Sequence, residues 1–202
     1  MRVSVPDTGA APGAPGVPAG LTCASLPADV IELAALRDRT HVLRALGARR
    51  GLNFPEFGRV ARAREMVVLC TRPERWLVLT APGPPGAALS LWREACAGCA
   101  AAIDLSSAFT ALHLAGSAVR EVLARGCRLD LQDEAFASGS VASTHLAQVA
   151  VTLAALPAGW LLLTPATTAR HFREWLSAAA GPFGMASRTG VTVATLSGEL
   201  PL

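Results

Sequence analysis

The apolar positions fall into short runs separated by clear breaks. From Asp38 they follow a helical stripe (Val42, Leu43, Leu46), which predicts a helix to about Arg50. Asp38 is its expected N-cap, and Gly51 stands where a left-handed C-terminal residue belongs. Pro55 and Gly58 break the chain. Met66–Cys70 and Trp76–Thr80 are continuous apolar runs, read as buried strands with a turn at Arg72-Pro73. Leu89, Trp92, Cys96 and Cys99 recur at steps of three and four, predicting a helix to about Ala100. Strands follow at Ala102–Leu105 and Phe109–Leu114. A helix comes next, with Val119, Val122 and Leu123 inward, Glu121 and Arg125 paired outside, and Gly126 at its end. Ser143–Leu156 reads as one long β segment and Trp160–Thr164 as its partner. A last helix turns Phe172, Leu176 and Ala179 inward until Gly181-Pro182.

This order, α-β-β-α-β-β-α-β-β-α, predicts an α+β fold of mostly antiparallel sheet with packed helices. The runs WLVLT (76–80) and WLLLT (160–164) each precede a helix, which suggests two pseudo-repeated β-β-α type units. Residues 1–25, rich in Pro, Gly and Ala, read as a flexible lead without the apolar core of a signal peptide. The expected domain is 26–185, followed by a tail, 186–202.

Composition removes several chemistries. All 18 basic residues are Arg; the chain has no Lys and no Tyr. Lysine Schiff-base catalysis and a Walker-type phosphate loop are therefore excluded, as is a phenolic general acid. Mean hydropathy is +0.40, yet no run approaches the roughly 20 apolar residues of a membrane helix. The expected compartment is cytoplasmic, with the five cysteines reduced. Charge is segregated. Arg37–Arg75 holds ten Arg against four acids, a local +6; the remainder holds eight Arg against eleven acids, a local −3. Such a basic half suits an acidic partner surface, or simply a solvated face. It lacks the interleaved aromatics and motifs of a nucleic-acid reader.

The candidate reactive groups are sparse. Cys96-Ala-Gly-Cys99 could be a redox dithiol or half a zinc site. No second cysteine pair completes the zinc site, and the pair continues a helical stripe, so buried thiols are the favoured reading. His41, His113, His145 and His171 show no metal-ligand spacing. Ser106, Ser107, Ser117 and Ser143 sit in no nucleophile elbow. Asp104 and Asp130 could serve acid–base work, but their spacing does not require it.

Three stretches have a further meaning: Ile103-Asp104-Leu105-Ser106; Thr110-Ala111-Leu112-His113-Leu114-Ala115-Gly116; and Gly126-Cys127-Arg128-Leu129-Asp130-Leu131. Together they resemble the gamma subunit of heterotetrameric sarcosine oxidase. Phe136, Gly139, Thr144 and the Trp175-Leu176 helix extend the resemblance, which covers about 27–184. It implies a fold like the folate-binding domain of aminomethyltransferase. It also implies a non-catalytic subunit that assembles with alpha, beta and delta-type subunits of an N-methyl amine oxidase. FAD, FMN, NAD, tetrahydrofolate and zinc are then expected on those partners, and no catalytic, cofactor or metal residue on this chain. Arg59, Arg62 and Arg64 are the expected partner contacts. The sequence departs from the family pattern at Ser107-Ala108-Phe109 and at Arg128. Asp130 falls near the catalytic Asp of aminomethyltransferase, so a stand-alone tetrahydrofolate-binding one-carbon protein is an alternative. A thiol redox protein using Cys96 and Cys99 is the other.

Overall fold

A computed structural model describes residues 20–63 and 65–197. It is an α+β sandwich of two sheets with helices on both outer faces.

Eleven strands occur among the described residues: β1 Leu21–Ser25, β2 Asp29–Ala35, β3 Val60–Ala63, β4 Met66–Arg72, β5 Arg75–Thr80, β6 Ala100–Asp104, β7 Phe109–Ala115, β8 Val141–Leu146, β9 Val149–Leu156, β10 Gly159–Pro165 and β11 Met185–Ser187. The helices are α1 Thr40–Arg49, α2 Ala87–Ala95, α3 Val119–Ala124, α4 Ala169–Ala180 and α5 Val193–Ser197. One sheet has the order β3-β4-β5-β2-β6, the other β11-β1-β7-β10-β9-β8. All pairings are antiparallel except β1 with β11.

The pseudo-repeat is real and longer than the sequence suggests. β2-α1-β3-β4-β5-α2 is matched by β7-α3-β8-β9-β10-α4, and the sheet orders β3-β4-β5-β2 and β8-β9-β10-β7 correspond. Trp76 on β5 and Trp160 on β10 occupy equivalent strands.

Strand alternation assigns each sheet two apolar faces. Ile31, Leu33, Val68, Val78 and Trp76 lie under α1 and α2, packed on Leu43 and Trp92. Leu112, Leu114, Leu153 and Leu162 lie under α3 and α4, packed on Val122, Phe172 and Leu176. Between the sheets, Val30, Leu69, Leu79, Ala111, Leu161 and Leu163 meet, and Val193 and Leu196 of α5 join them. Strands buried on both faces account for the continuous apolar runs and the high hydropathy.

Several expectations are corrected. Leu21–Ser25 lies within the expected lead, yet β1 is hydrogen-bonded between β7 and β11. β2 and β3 form where no strand was expected. Residues expected as a tail supply β11 and α5, whose buried Val193 and Leu196 close the interlayer core. Asp38 does not cap α1: it adopts φ 59° and the N-cap position is Arg39. α2 stops at Ala95, and Gly98 at φ 75° turns the chain through Cys96–Cys99. The expected single segment 143–156 is a hairpin. Ala147 and Gln148, at φ 49° and 68°, form its two-residue turn, although neither is a usual left-handed residue.

Candidate functional site

The two main concavities lie on the half of the molecule built on β7–β10. The larger, about 400 Å³, is bordered by Ser117 just before α3, by Arg120 on it, and by Asp130 and Gln132 in the loop beyond it. Asp130 is exposed, and its carboxylate accepts the backbone N–H of Gln132 at 3.0 Å, a local turn bond. Arg120 is committed to the loop: it donates to the Leu131 carbonyl and to Asp133, and stacks 5.0 Å over the Trp160 ring. No aromatic side chain lines this depression. A pterin requires an apolar slot with convergent polar groups, and a general base requires a carboxylate shielded from water. The residues present do not fit tetrahydrofolate.

The smaller concavity, about 230 Å³, opens beside Phe109, Ser143, His145 and Thr152. His145 is exposed there, and the lining residues include no carboxylate to orient it. Asp104 accepts the Ser106 backbone N–H at 2.9 Å, at the end of β6 in the other sheet. The geometry therefore does not bring Asp104 and Asp130 together. Ser106 accepts a bond from the Val30 N–H at 2.9 Å, a joint between strands. His41 and His171 are exposed on α1 and α4. Among the described residues no group of three or more His, Cys, Asp or Glu could hold a metal ion.

Cys96 and Cys99 are buried at the C-terminal end of α2, on the core beneath it. The Cys99 thiol donates to the Cys96 carbonyl at 3.3 Å. Burial, with Cys99 adding to it, pushes the Cys96 thiol up to about 11. A redox dithiol needs the reverse, an exposed thiol lowered by a helix N-terminus. The arrangement suits packing.

The remaining candidate is a surface. Arg59 and Arg62 both lie exposed at the corner where the two sheets meet; Arg64, expected with them, lies outside the described residues. Arg59 bridges to Ser140 in backbone register, its guanidinium 3.4 Å from the Ser140 hydroxyl. The Val60 N–H donates to Gly139 and the Val141 N–H to Gly58, each at 2.9 Å, so this corner stitches β3 to β8. Phe57, which the sequence reading passed over, stands next to it and is 63% exposed. No local signal separates it from Phe54, three residues earlier in the same loop, which is buried against Trp76.

Elsewhere in the basic half, three arginines are paired. Arg44 and Glu56 pair at 2.5 Å, and Arg72 and Arg75 both reach Glu32. Among the described residues, no helix is long and apolar enough to cross a membrane.

The fold has counterparts among solved structures. A chain of the heterotetrameric sarcosine oxidase from Corynebacterium sp. U-96, in complex with pyrrole 2-carboxylate, matches with a TM-score of 0.72 and 26% identity. The match covers 89% of this chain and 91% of that one. The glycine cleavage system aminomethyltransferase T from Bartonella henselae matches with a TM-score of 0.62 and 15% identity, which shows a shared fold. There the match covers 85% of this chain but only 48% of the other, so the chain spans about half of that protein. No protein-family model and no curated protein matches the sequence.

Proposed function

We propose that this chain is a non-catalytic, gamma-type subunit of a multi-subunit flavin-dependent sarcosine (N-methyl amine) oxidase. One observation carries the reading: the chain corresponds nearly end to end with one chain of a heterotetrameric sarcosine oxidase, whereas it is about half of an aminomethyltransferase. The site geometry agrees with it. The concavities are open, Asp130 is exposed, and the C-x-x-C thiols are buried in the core. The chain's contribution is then a rigid four-layer block that packs against larger alpha, beta and delta-type subunits. FAD, FMN, NAD, tetrahydrofolate and zinc belong to those partners in this reading.

Co-expression with flavin-binding alpha- and beta-type chains from the same organism tests the reading. Co-elution as one complex with amine oxidase activity is the expected result. A chain that stays monomeric beside properly folded, flavin-loaded partners would overturn it. Calorimetry with tetrahydrofolate on the isolated chain is the second check: no heat of binding is expected, and stoichiometric heat would favour the one-carbon alternative.

A further inference from the structure

We propose that Phe57, together with the exposed Arg59 and Arg62 that follow it into β3, is the anchor of the interface with a larger subunit. Its complement is an apolar pocket rimmed by carboxylates on that subunit. The proposal rests on the gamma-type reading and adds the site and its chemistry.

Four large apolar side chains are more than two-fifths exposed among the described residues: Leu36, Phe57, Leu91 and Ile103. Phe57 is the most exposed and the only aromatic one. Leaving a phenyl ring in water forgoes about 1.5–3 kcal/mol of burial, and such rings are the anchors that interfaces favour.

The ring is carried on a fixed backbone. The Gly58 N–H donates to Cys70 at 2.9 Å, the Cys70 N–H returns to Arg59 at 3.1 Å, and the Arg59 N–H closes a turn on Glu56 at 3.0 Å. The bonds from Val60 and Val141 clamp the other side. Gly58, at φ 78°, makes the turn possible. An anchor held this way loses little conformational freedom on docking.

Charge selects the partner. Glu56, next to the ring, is already occupied by Arg44, whose hydrogen bond and charge hold its carboxyl below the usual range. Arg59 and Arg62 have no carboxylate partner among the described residues. The stretch 57–62 therefore exposes an apolar ring and two guanidinium groups, a composition that matches an apolar pocket with acids near its rim. Guanidinium suits bidentate pairing with carboxylates at a desolvated interface. Leu91 and Ile103 lack this: α2 places Glu94 near the first, and Asp104 follows the second.

The test titrates the purified chain against the purified complex of the other subunits. Phe57→Ala is expected to weaken binding at least about 30-fold while leaving the melting temperature of the free chain unchanged. Arg59→Ala and Arg62→Ala are expected to weaken it about 3- to 10-fold each, and to flatten its salt dependence. Arg59→Glu should weaken it further than Arg59→Ala. Wild-type binding with Phe57→Ala and Arg59→Glu both unaffected would overturn this docking site while leaving the subunit reading intact. Absence of wild-type binding would overturn both.

Discussion

The carboxylate of Glu32, in the middle of β2, is held by the guanidinium of Arg75 at 2.7 Å, with Arg72 on its other oxygen at 3.3 Å. Glu32 lies on the face of β2 that turns toward the other sheet, opposite Leu77 on β5 and Ile103 on β6. It is 9% exposed, and the arginines enclose it from the turn joining β4 to β5. Two arginines of the basic half are thus fixed in the fold by an acid from outside it.

Removing that support leaves a nearly buried charge with one long bond. Arg75→Ala is expected to destabilise the chain by about 1–2 kcal/mol, and Glu32→Leu by less, because it removes the buried charge along with the pair. Urea unfolding of both variants checks the order. An Arg75→Ala midpoint equal to wild type would refute it.

The Cys96 thiol, at about 11, holds its proton more tightly in the folded chain than the ordinary value of 9.0. The folded state then binds more protons than the unfolded state above pH 9. The stability contributed by the neutral thiol is full below that pH and lost as pH rises toward 11. At pH 8 the thiolate fraction is on the order of 0.1%. Alkylation followed by mass spectrometry should label Cys96 and Cys99 only after denaturation. Rapid labelling of either in the native chain would contradict the burial argument.

His113, on β7, faces the interlayer core and is 3% exposed. Its Nε2 lies 2.9 Å from the Ala158 carbonyl, so Nε2 carries the proton and donates; Nδ1 is buried without a partner. Burial lowers its pKa; the Ala158 bond partly opposes this and Arg188 adds to it. Below the ordinary value of 6.5 the unfolded chain takes up the proton first. Stability is therefore present above that pH and lost as pH falls. His113→Gln should flatten the fall of the melting temperature as pH drops below 6.5. An unchanged slope would show that other groups govern acid stability.

Gly159 begins β10 at φ 127°, and a Cβ there would lie 2.4 Å from the Leu114 carbonyl oxygen and 2.8 Å from His113 Nε2. Strand β7 must approach this backbone closely for β10 to pair with it. Gly159→Ala is expected to cost about 3 kcal/mol or more, or to prevent folding. Normal thermal unfolding of the variant would show that the β7–β10 contact can relax.

The strands legible in the sequence were those buried on both faces. Met66–Cys70, Trp76–Thr80, Phe109–Leu114 and Trp160–Thr164 stand out because helices cover one side and the second sheet the other. Asp29–Ala35 was not legible, because a buried acid interrupts its run and the compensating arginines are about 40 residues away. Asp38 misled because its side chain suits a cap while the backbone there turns left-handed. The C-x-x-C was read correctly as core from helical spacing, although the helix ends one residue earlier.

The sequence by itself determined the α+β class, the repeat of two tryptophan-led strands followed by helices, and the exclusion of lysine chemistry. These depend on local periodicity and residue type, which the chain carries everywhere it goes. Only tertiary structure decided that β1 and β11, from opposite ends, complete one sheet, and that Glu32 pairs with both Arg72 and Arg75. Only tertiary structure, likewise, decided that Phe57 stays in water while Phe54, three residues earlier, is buried against Trp76. Pairing over long separations depends on which surfaces the packed layers leave open, and no local pattern encodes that.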